Sequence, residues 1–157
     1  MLARFPRRTS LTLVGAVALV LAIANPAAAP PGDLDPTFDG DGKVTTDFAG
    51  STDEGKGVAI QGDGKIVAAG VAFASGTDDF ALVRYNTDGS LDTTFDGDGR
   101  VTTDFAGSTD QANGVVIQGD GKIVAAGYAL VSGNFDFALA RYTCARRTSR
   151  PASIPIC

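Results

Sequence analysis

Two short acidic motifs are the part of this chain whose residue types and spacing best suit metal binding. Residues 39–42 and residues 96–99 both have the sequence Asp-Gly-Asp-Gly. Carboxylates at alternate positions, with glycine to bend the chain, can surround a hard cation such as Ca²⁺, which takes about six to eight oxygen ligands. Only two carboxylates alternate here, and no acidic residue follows at the bidentate position of a calcium loop. Aspartate and glycine are also typical turn residues, so we predict that both motifs form turns and hold no metal.

Two further motifs have both a chemical and a structural interpretation. Residues 62–65 and 119–122 have the sequence Gly-Asp-Gly-Lys, which superficially resembles a phosphate-binding loop. The required spacing and the following Ser or Thr are missing, so nucleotide binding is not expected. Arg84 and Arg141 could hold an acidic ligand, but they recur with the repeated sequence. We predict that each pairs with a nearby turn carboxylate or stacks on an aromatic ring.

Catalysis has little support in the sequence. The chain has no histidine, the commonest general base and a frequent metal ligand. The serines lie in turn-like segments without a partner base or a nucleophile-elbow pattern, and nothing places two carboxylates around a substrate. We therefore predict no catalytic residue, no cofactor-binding residue, no metal ligand and no cofactor, and we expect that the protein is not an enzyme.

The motifs occur twice because the chain contains an internal repeat. Residues 38–85 are followed by a near copy at residues 95–142, at a constant offset of 57 residues, and 11 of the 48 aligned positions differ. A fixed period of tens of residues is typical of repeat architectures. A motif present in both copies belongs more often to the scaffold of such a protein than to a unique active site.

Each repeat has the pattern of short β-strands separated by turns. In the first copy we expect strands at residues 57–61, 65–73, 80–85 and 100–105, with a hairpin turn at Asp63-Gly64. Four antiparallel strands in about 50 residues are typical of a β-propeller blade. The predicted fold is all-β: two tandem 57-residue blade-like repeats of four antiparallel strands, forming a partial β-propeller.

The strand count leaves the predicted blades incomplete. A lone outer strand at residues 43–48 precedes a complete blade at residues 57–105, and residues 114–142 supply three strands without a fourth. Closed propellers have about four to eight blades, and open sheet faces and edges invite association. We therefore expect either a ring closed by several copies of the chain, a homo-oligomer, or the remainder of a longer repeat array.

Three ordered blocks resemble a bacterial repeat family. They are Phe-Asp-Gly-Asp-Gly-Lys-Val at residues 38–44, Gly-Val-Ala-Ile-Gln-Gly-Asp-Gly-Lys-Ile-Val-Ala-Ala-Gly at 57–70, and Asp-Phe-Ala-Leu-Val-Arg-Tyr-Asn-Thr-Asp-Gly-Ser-Leu-Asp at 79–92. These blocks resemble the delta-60 repeat, over about residues 32–142. The resemblance implies β-propeller blades, often in long arrays on secreted or surface proteins, and it implies no catalytic residues.

Charge argues against two classes of partner. All 18 acidic residues lie within residues 32–142, where seven basic residues occur, so this span has a formal charge of −11 (7 − 18). An acidic surface repels phosphate groups, which argues against a nucleic-acid partner. The same repulsion argues against docking on anionic lipid, so no membrane partner is expected for the mature form.

The N-terminal segment differs from the repeats. Residues 1–29 combine arginines, an apolar run at residues 11–24 and an Ala-Ala-Ala site that ends at Ala29. This order is typical of a secretory signal peptide, and the run is shorter than the roughly 20 residues of a spanning helix. We predict cleavage near Ala29, a secreted or cell-surface location, and a repeat domain at residues 30–142 with copies at about 38–94 and 95–142.

The C-terminal segment differs as well. Residues 143–157 form an irregular, basic, proline-containing tail in place of the acidic turn that follows the first copy. Such an abrupt change is expected if the reading frame shifts or the gene is truncated after the second copy. Cys144 and Cys157 could form a disulfide in an oxidising compartment.

Two functions remain open at the level of the sequence. The first is a non-enzymatic secreted or surface module, a scaffold or a β-propeller fragment that binds an unknown protein or glycan. The alternative is a propeller-type metal-dependent hydrolase or a calcium-binding adhesin module. Differences between the copies favour the first, because they gather at residues 54–56 against 111–113 and at residues 71–79 against 128–136. Strand ends and turns of this kind form the variable rim of a blade.

Overall fold

The computed structural model describes residues 29–143, which form seven strands and no helix. The predicted signal peptide up to residue 28, Cys144 and Cys157 lie outside these residues. The strands are β1 (Asp53–Ile60), β2 (Ile66–Ala74), β3 (Thr77–Tyr85), β4 (Arg100–Thr103), β5 (Asp110–Ile117), β6 (Ile123–Val131) and β7 (Asn134–Tyr142). They form two antiparallel sheets, in the orders β1-β2-β3-β4 and β5-β6-β7.

The predicted turns lie where glycine accepts a positive φ. In the β1–β2 turn the Gln61 amide donates to the Lys65 carbonyl over 2.8 Å, and Gly64 has a φ of 86°. In the β2–β3 turn both central residues, Ser75 and Gly76, have positive φ, at 54° and 99°. Two consecutive positive values match the right-handed twist of the flanking strands, which makes a tight hairpin.

The first strand is longer than predicted. It begins at Asp53 instead of Gly57, because pairing with β2 continues through an irregularity between Gly55 and Gly57. Opposite this bulge stands Gly70, where an added Cβ would lie 1.8 Å from the Glu54 carbonyl oxygen. The bulge recurs in β5, so it is part of the repeat rather than a local accident.

The expected outer strand at residues 43–48 is wrong, because the structure has no strand there. The same sequence position in the second copy is β4, which pairs with β3. Within the described residues no strand lies beside residues 43–48 to accept such pairing. The segment instead packs on the first sheet, where the Thr46 hydroxyl hydrogen bonds the Tyr85 hydroxyl over 2.7 Å. Thr103 of β4 makes the equivalent contact with Tyr142 of the second sheet, over 2.9 Å.

The core lies between the two sheets. Strand β5 packs across β1, β2 and β3. It comes close to the first sheet at Gly57, where an added Cβ would lie 3.1 Å from the Cα of Gly114. Apart from Phe80, the fully buried members of the core are small or branched, which allows this close stacking of sheets. They include Val67, Ala69, Phe80, Leu82, Ala112, Ile123 and Ala125. The predicted all-β fold of two blade-like repeats is thus confirmed.

Apolar residues on the outer faces of this sandwich are more exposed than their repeat copies on the inner faces. Phe80 and Leu82 are 0% exposed, whereas their copies Phe137 and Leu139 on β7 are 100% and 64% exposed. The cause is position, because the second sheet covers the first pair and no sheet among the described residues covers the second. We call the surface of Val116, Ala126, Phe137 and Leu139 the trailing face.

The outer surface of the first sheet also has exposed apolar residues. Val58 and Ile60 on β1 are exposed, whereas their copies on β5, Val115 and Ile117, pack against the core. We call the surface of Val58 and Ile60 the leading face. Among residues 29–143 no helix is long and apolar enough to cross a membrane.

Candidate functional site

The variable residues of the repeat gather at one end of each sheet. In the first sheet Glu54 pairs with Val71, and the β2–β3 turn lies just beyond. In the second sheet Gln111 pairs with Tyr128 in the same register. We call this end of the two sheets, residues 53–56, 71–79, 110–113 and 128–136, the rim. The two sequence stretches that differ between copies are therefore neighbours in space.

The rim of the second repeat carries an aromatic pair that the first repeat lacks. Tyr128 and Phe135 meet edge to face, with ring centroids 5.0 Å apart, and Phe135 is 66% exposed. The Tyr128 hydroxyl hydrogen bonds the Gln111 side-chain oxygen over 3.4 Å. The first repeat has Val71 and Asp78 at the two aromatic positions. An exposed ring beside polar groups can contact a sugar or an apolar side chain, so the second repeat offers the better binding surface.

A cluster of three carboxylates also lies at the rim, and sequence reasoning missed it. One oxygen each from Asp79, Asp104 and Asp110 lies within 4.8 Å of the other two. Asp79 is near the start of β3, Asp104 follows β4, and Asp110 opens β5. The register that pairs Phe80 with Thr103 places Asp79 opposite Asp104. The sequence carries no signal for this cluster beyond the fact that all three positions, 79, 104 and 110, are aspartate in both copies.

The cluster perturbs the titration of Asp79. Burial raises the pKa of the Asp79 carboxyl above its ordinary value, and the charges of Asp104 and Asp110 raise it further. A hydrogen bond from the Thr77 hydroxyl opposes this shift, over 3.1 Å. Like charges directly across a strand pair repel, so the three carboxylates are held together by the fold against their mutual repulsion.

Arg84 makes the contacts that the sequence predicted for it. Its Nε donates to Asp92 Oδ2 over 2.7 Å, and its guanidinium carbon lies 4.7 Å from the ring centroid of Phe95. Lys65 donates to the same carboxylate oxygen over 2.5 Å. Burial would raise the pKa of Asp92, but hydrogen bonds from Lys65 and Thr94 and the charge of Arg84 outweigh it and hold that pKa well below its ordinary value.

The copy of this network in the second repeat is different. Arg141 is exposed, and among residues 29–143 no carboxylate pairs with it. Lys122, the copy of Lys65, pairs with Asp120 in its own turn. The prediction for Arg141 is therefore not met within the described residues, because Asp92 lies in a connector that follows only the first copy. Arg84 thus has a structural partner, whereas Arg141 has no carboxylate partner among the described residues.

The Asp-Gly motifs are turns, as predicted. Asp41 Oδ1 accepts the Lys43 amide over 3.0 Å, and Asp98 Oδ1 accepts the Arg100 amide over 2.9 Å. The first aspartate of each motif has a positive φ, 49° at Asp39 and 50° at Asp96. Aspartate tolerates this conformation because its short side chain bonds the local backbone. The second carboxylate of each motif is thus bonded to the backbone of its own turn.

A small cavity lies on the first sheet beneath residues 43–48. Thr46, Asp53, Gly70 and Tyr85 are among its lining residues, and its volume is about 170 Å³. Clefts that enclose small-molecule ligands have roughly 300–1,000 Å³. The cavity is therefore too small for such a ligand, and the exposed rim is the better candidate site.

Comparison with known proteins bears on the fold. Residues 61–95 and 118–143 match the model of a family described as Domain of unknown function (DUF5122) beta-propeller. The matches begin at Gln61 and at its repeat copy Gln118, so they cover corresponding parts of the two repeats. No curated protein matches the chain. With two stacked antiparallel sheets and a match in each repeat, the chain is similar to a propeller-type repeat family whose function is not known.

Proposed function

We propose that the protein is a non-enzymatic repeat module of the delta-60 type, secreted or displayed on a cell surface, that binds a protein or glycan ligand at its rim. The stacked sheets act as the scaffold. The observation that carries the proposal is the distribution of differences between the copies. The sheet interiors are nearly identical, whereas residues 71–79 and 128–136 diverge and lie on an exposed end.

The aromatic pair of the second repeat supports a binding role at the rim. An exposed phenylalanine leaves about 1.5–3 kcal/mol of burial unrealised until a partner covers the ring. Tyr128 already holds a fixed orientation through its contact with Gln111. Phe135 stands beside it and is open to solvent. A rigid ring pair loses little conformational entropy on binding, which is why aromatic residues are enriched in binding surfaces.

The scaffold role extends to association between blades. The trailing face and the leading face are the repeat copies of the two surfaces that pack together inside the chain, so one copy of the chain can stack on the next. Such a contact is heterologous, and repeated stacking closes a ring if the rotation per blade permits. A homo-oligomer is therefore the assembly that we propose. The predicted signal segment at residues 1–29 and the acidic surface support a location outside the cell.

A direct binding experiment tests the rim. The full chain, fluorescently labelled, is applied to a glycan array and to immobilised extracellular proteins. The matched variant carries Asn134→Thr and Phe135→Asp, which gives the second repeat the residues of the first. We expect the bound signal to fall at least about tenfold, a loss of about 1.4 kcal/mol. A control variant, Thr77→Asn, alters the same turn of the first repeat and keeps the aromatic pair.

Either of two results would contradict the rim as the binding site. One is a ligand that binds the double variant as well as the wild-type chain. The other is that neither the glycan array nor the immobilised proteins yield a ligand, although circular dichroism shows that the protein is folded. Turnover of a hydrolysable ester or glycoside library by the wild-type chain would contradict the non-enzymatic assignment.

A further inference from the structure

The junction between the two sheets holds three carboxylates that are buried to different degrees. Asp79 is 5% exposed and Asp110 is 0% exposed, whereas Asp104 is open to solvent. Burying an ionised carboxylate is costly unless it is paired with a cation or coordinates a metal. None of the ion pairs formed among residues 29–143 involves any of the three. The cluster thus has negative charge at close range and no side-chain cation to offset it.

Hydrogen bonds satisfy part of the cluster. The Phe105 amide donates to Asp110 Oδ2 over 2.7 Å, and the Gly107 amide donates to Asp104 Oδ1 over 2.6 Å. The Thr77 hydroxyl donates to Asp79 Oδ1. These donors fix the orientation of each carboxylate.

One buried oxygen of the three carboxylates has no donor. Asp110 Oδ1 is buried and has no hydrogen-bond partner. A carboxylate has two oxygens on one carbon. Oδ1 is therefore either the oxygen that Asp110 contributes to the cluster or the neighbouring oxygen of the same carboxylate. A buried, unpartnered carboxylate oxygen in a close group of carboxylates needs a ligand that accepts its lone pairs.

We propose that Asp79, Asp104 and Asp110 bind a hard divalent cation, Ca²⁺, at the junction between two blades. Ca²⁺ binds oxygen at about 2.3–2.6 Å, so two ligands on opposite sides of the ion lie up to about 5 Å apart. The limit of 4.8 Å among the three oxygens fits that span. Mg²⁺ requires near-octahedral geometry at about 2.0–2.1 Å and gives up its water ligands reluctantly, so we expect it to bind more weakly. The exposed side at Asp104 leaves room for water to complete the coordination.

The cation would bind side chains of both sheets at once. Asp79 and Asp104 belong to the first sheet and its outgoing loop, whereas Asp110 belongs to the second sheet. Binding therefore clamps one blade to the next. The repeat also places copies of the three aspartates elsewhere in the chain. Asp47 and Asp53 are the copies of Asp104 and Asp110, and Asp136 is the copy of Asp79. They lie at opposite ends of the chain, so one chain has one complete set.

Calorimetric titration of the full chain with CaCl₂, after removal of metal with a chelator, tests the site. The protein is kept dilute, below the concentration at which light scattering detects association. We expect one Ca²⁺ per chain, a higher melting temperature in Ca²⁺, and weaker binding of Mg²⁺. Asp79→Asn should weaken Ca²⁺ binding at least about tenfold, because a ligand charge is lost. Asp136→Asn, the same change at the copy position, should leave affinity and melting shift unchanged.

Asp104→Asn and its control Asp47→Asn form a second pair at exposed loop positions, where the fold tolerates the change. Loss of affinity in Asp104→Asn alone again supports the site. No heat and no melting shift with Ca²⁺ in the wild-type chain would overturn the proposal. So would equal Ca²⁺ affinity in Asp79→Asn and Asp136→Asn, because binding would then lie elsewhere, for example at the Asp-Gly turns. The outcome does not depend on what the rim binds.

Discussion

Arg84 shows how one residue type takes two roles in two copies of a sequence. In the first repeat it is buried, bonded to Asp92 and stacked on Phe95, whereas its copy Arg141 is exposed. A buried guanidinium is stable only with a partner of good geometry. The connector that follows β3 supplies that partner. The arginine is therefore a structural residue that depends on sequence outside the identical block.

Removing the first arginine should be far more damaging than removing the second. Arg84→Ala leaves Asp92 buried with only Lys65 as a charged partner and removes the packing on Phe95. Breaking a buried pair costs about 3–5 kcal/mol, and we expect a loss near the lower value. Arg141→Ala should change the free energy of unfolding by less than about 0.5 kcal/mol. Urea denaturation of both variants measures the difference, and equal losses would contradict the structural assignment.

Asp92 should make stability depend on acidity. Because its pKa is lower in the folded chain than the ordinary value of 3.8, the folded state holds the carboxylate more strongly than the unfolded state. Its contribution is complete above pH 3.8 and is lost as the pH falls below that value toward the folded pKa. The stability difference between wild type and Asp92→Asn should therefore be largest at neutral pH and shrink in acid. Denaturation at pH values on both sides of 3.8 measures it, and a constant difference would refute the linkage.

At the scale of the element, the β-bulge of each first strand requires a glycine on the neighbouring strand. An added Cβ at Gly70 would lie 1.8 Å from the Glu54 carbonyl oxygen, and Gly127 has the same distance to the Gln111 carbonyl oxygen. No side-chain adjustment relieves a contact with backbone. The bulge and the glycine are thus one structural unit that occurs twice.

Gly70→Ala should destabilise the first sheet strongly. The strand must move to accept the methyl group, and overpacking of this kind costs about 1–3 kcal/mol or more. The matched control is Gly55→Ala, since an added Cβ there has open space and the second repeat has Ala112 at that position. The control should be neutral or stabilise by up to about 1 kcal/mol. Thermal melting followed by circular dichroism compares them, and a neutral Gly70→Ala would show that the bulge is not a fixed feature.

At the scale of the whole molecule, two sheets leave two apolar faces open. Phe137 and Leu139 occupy positions that are completely buried in the first repeat. The internal sandwich is thus a template for what covers them. An exposed cluster of this kind drives association through the hydrophobic effect.

A charge on the trailing face should prevent association. We expect the mass of the wild-type chain, measured by light scattering, to rise with concentration, and Leu139→Asp to remain monomeric. Val58→Asp on the leading face should have the same effect, because both faces enter one head-to-tail contact. Gly119→Asp places the same charge in the exposed β5–β6 turn, where an added Cβ has open space, and should still associate. A folded wild-type chain that stays monomeric at all concentrations would contradict stacking.

The sequence by itself determined the local structure of this protein. The 57-residue repeat, the strand pattern, the Asp-Gly turns and the partner class of Arg84 follow from periodicity and turn chemistry, which act over a few residues. Periodicity and turn chemistry do not predict whether a strand finds a neighbour. Residues 43–46 match β4 at three of four positions but have no strand to pair with among the described residues. An extended segment becomes a strand only when its backbone groups find partners.

The tertiary structure alone decided which distant residues meet. The register of β3 and β4 brings Asp79 to Asp104, and the stacking of the second sheet brings Asp110 to both. The same stacking buries Phe80 and leaves its identical copy Phe137 exposed. The physical reason is that burial and electrostatic contact depend on what packs against a residue, and identical sequence in two repeats does not give identical neighbours.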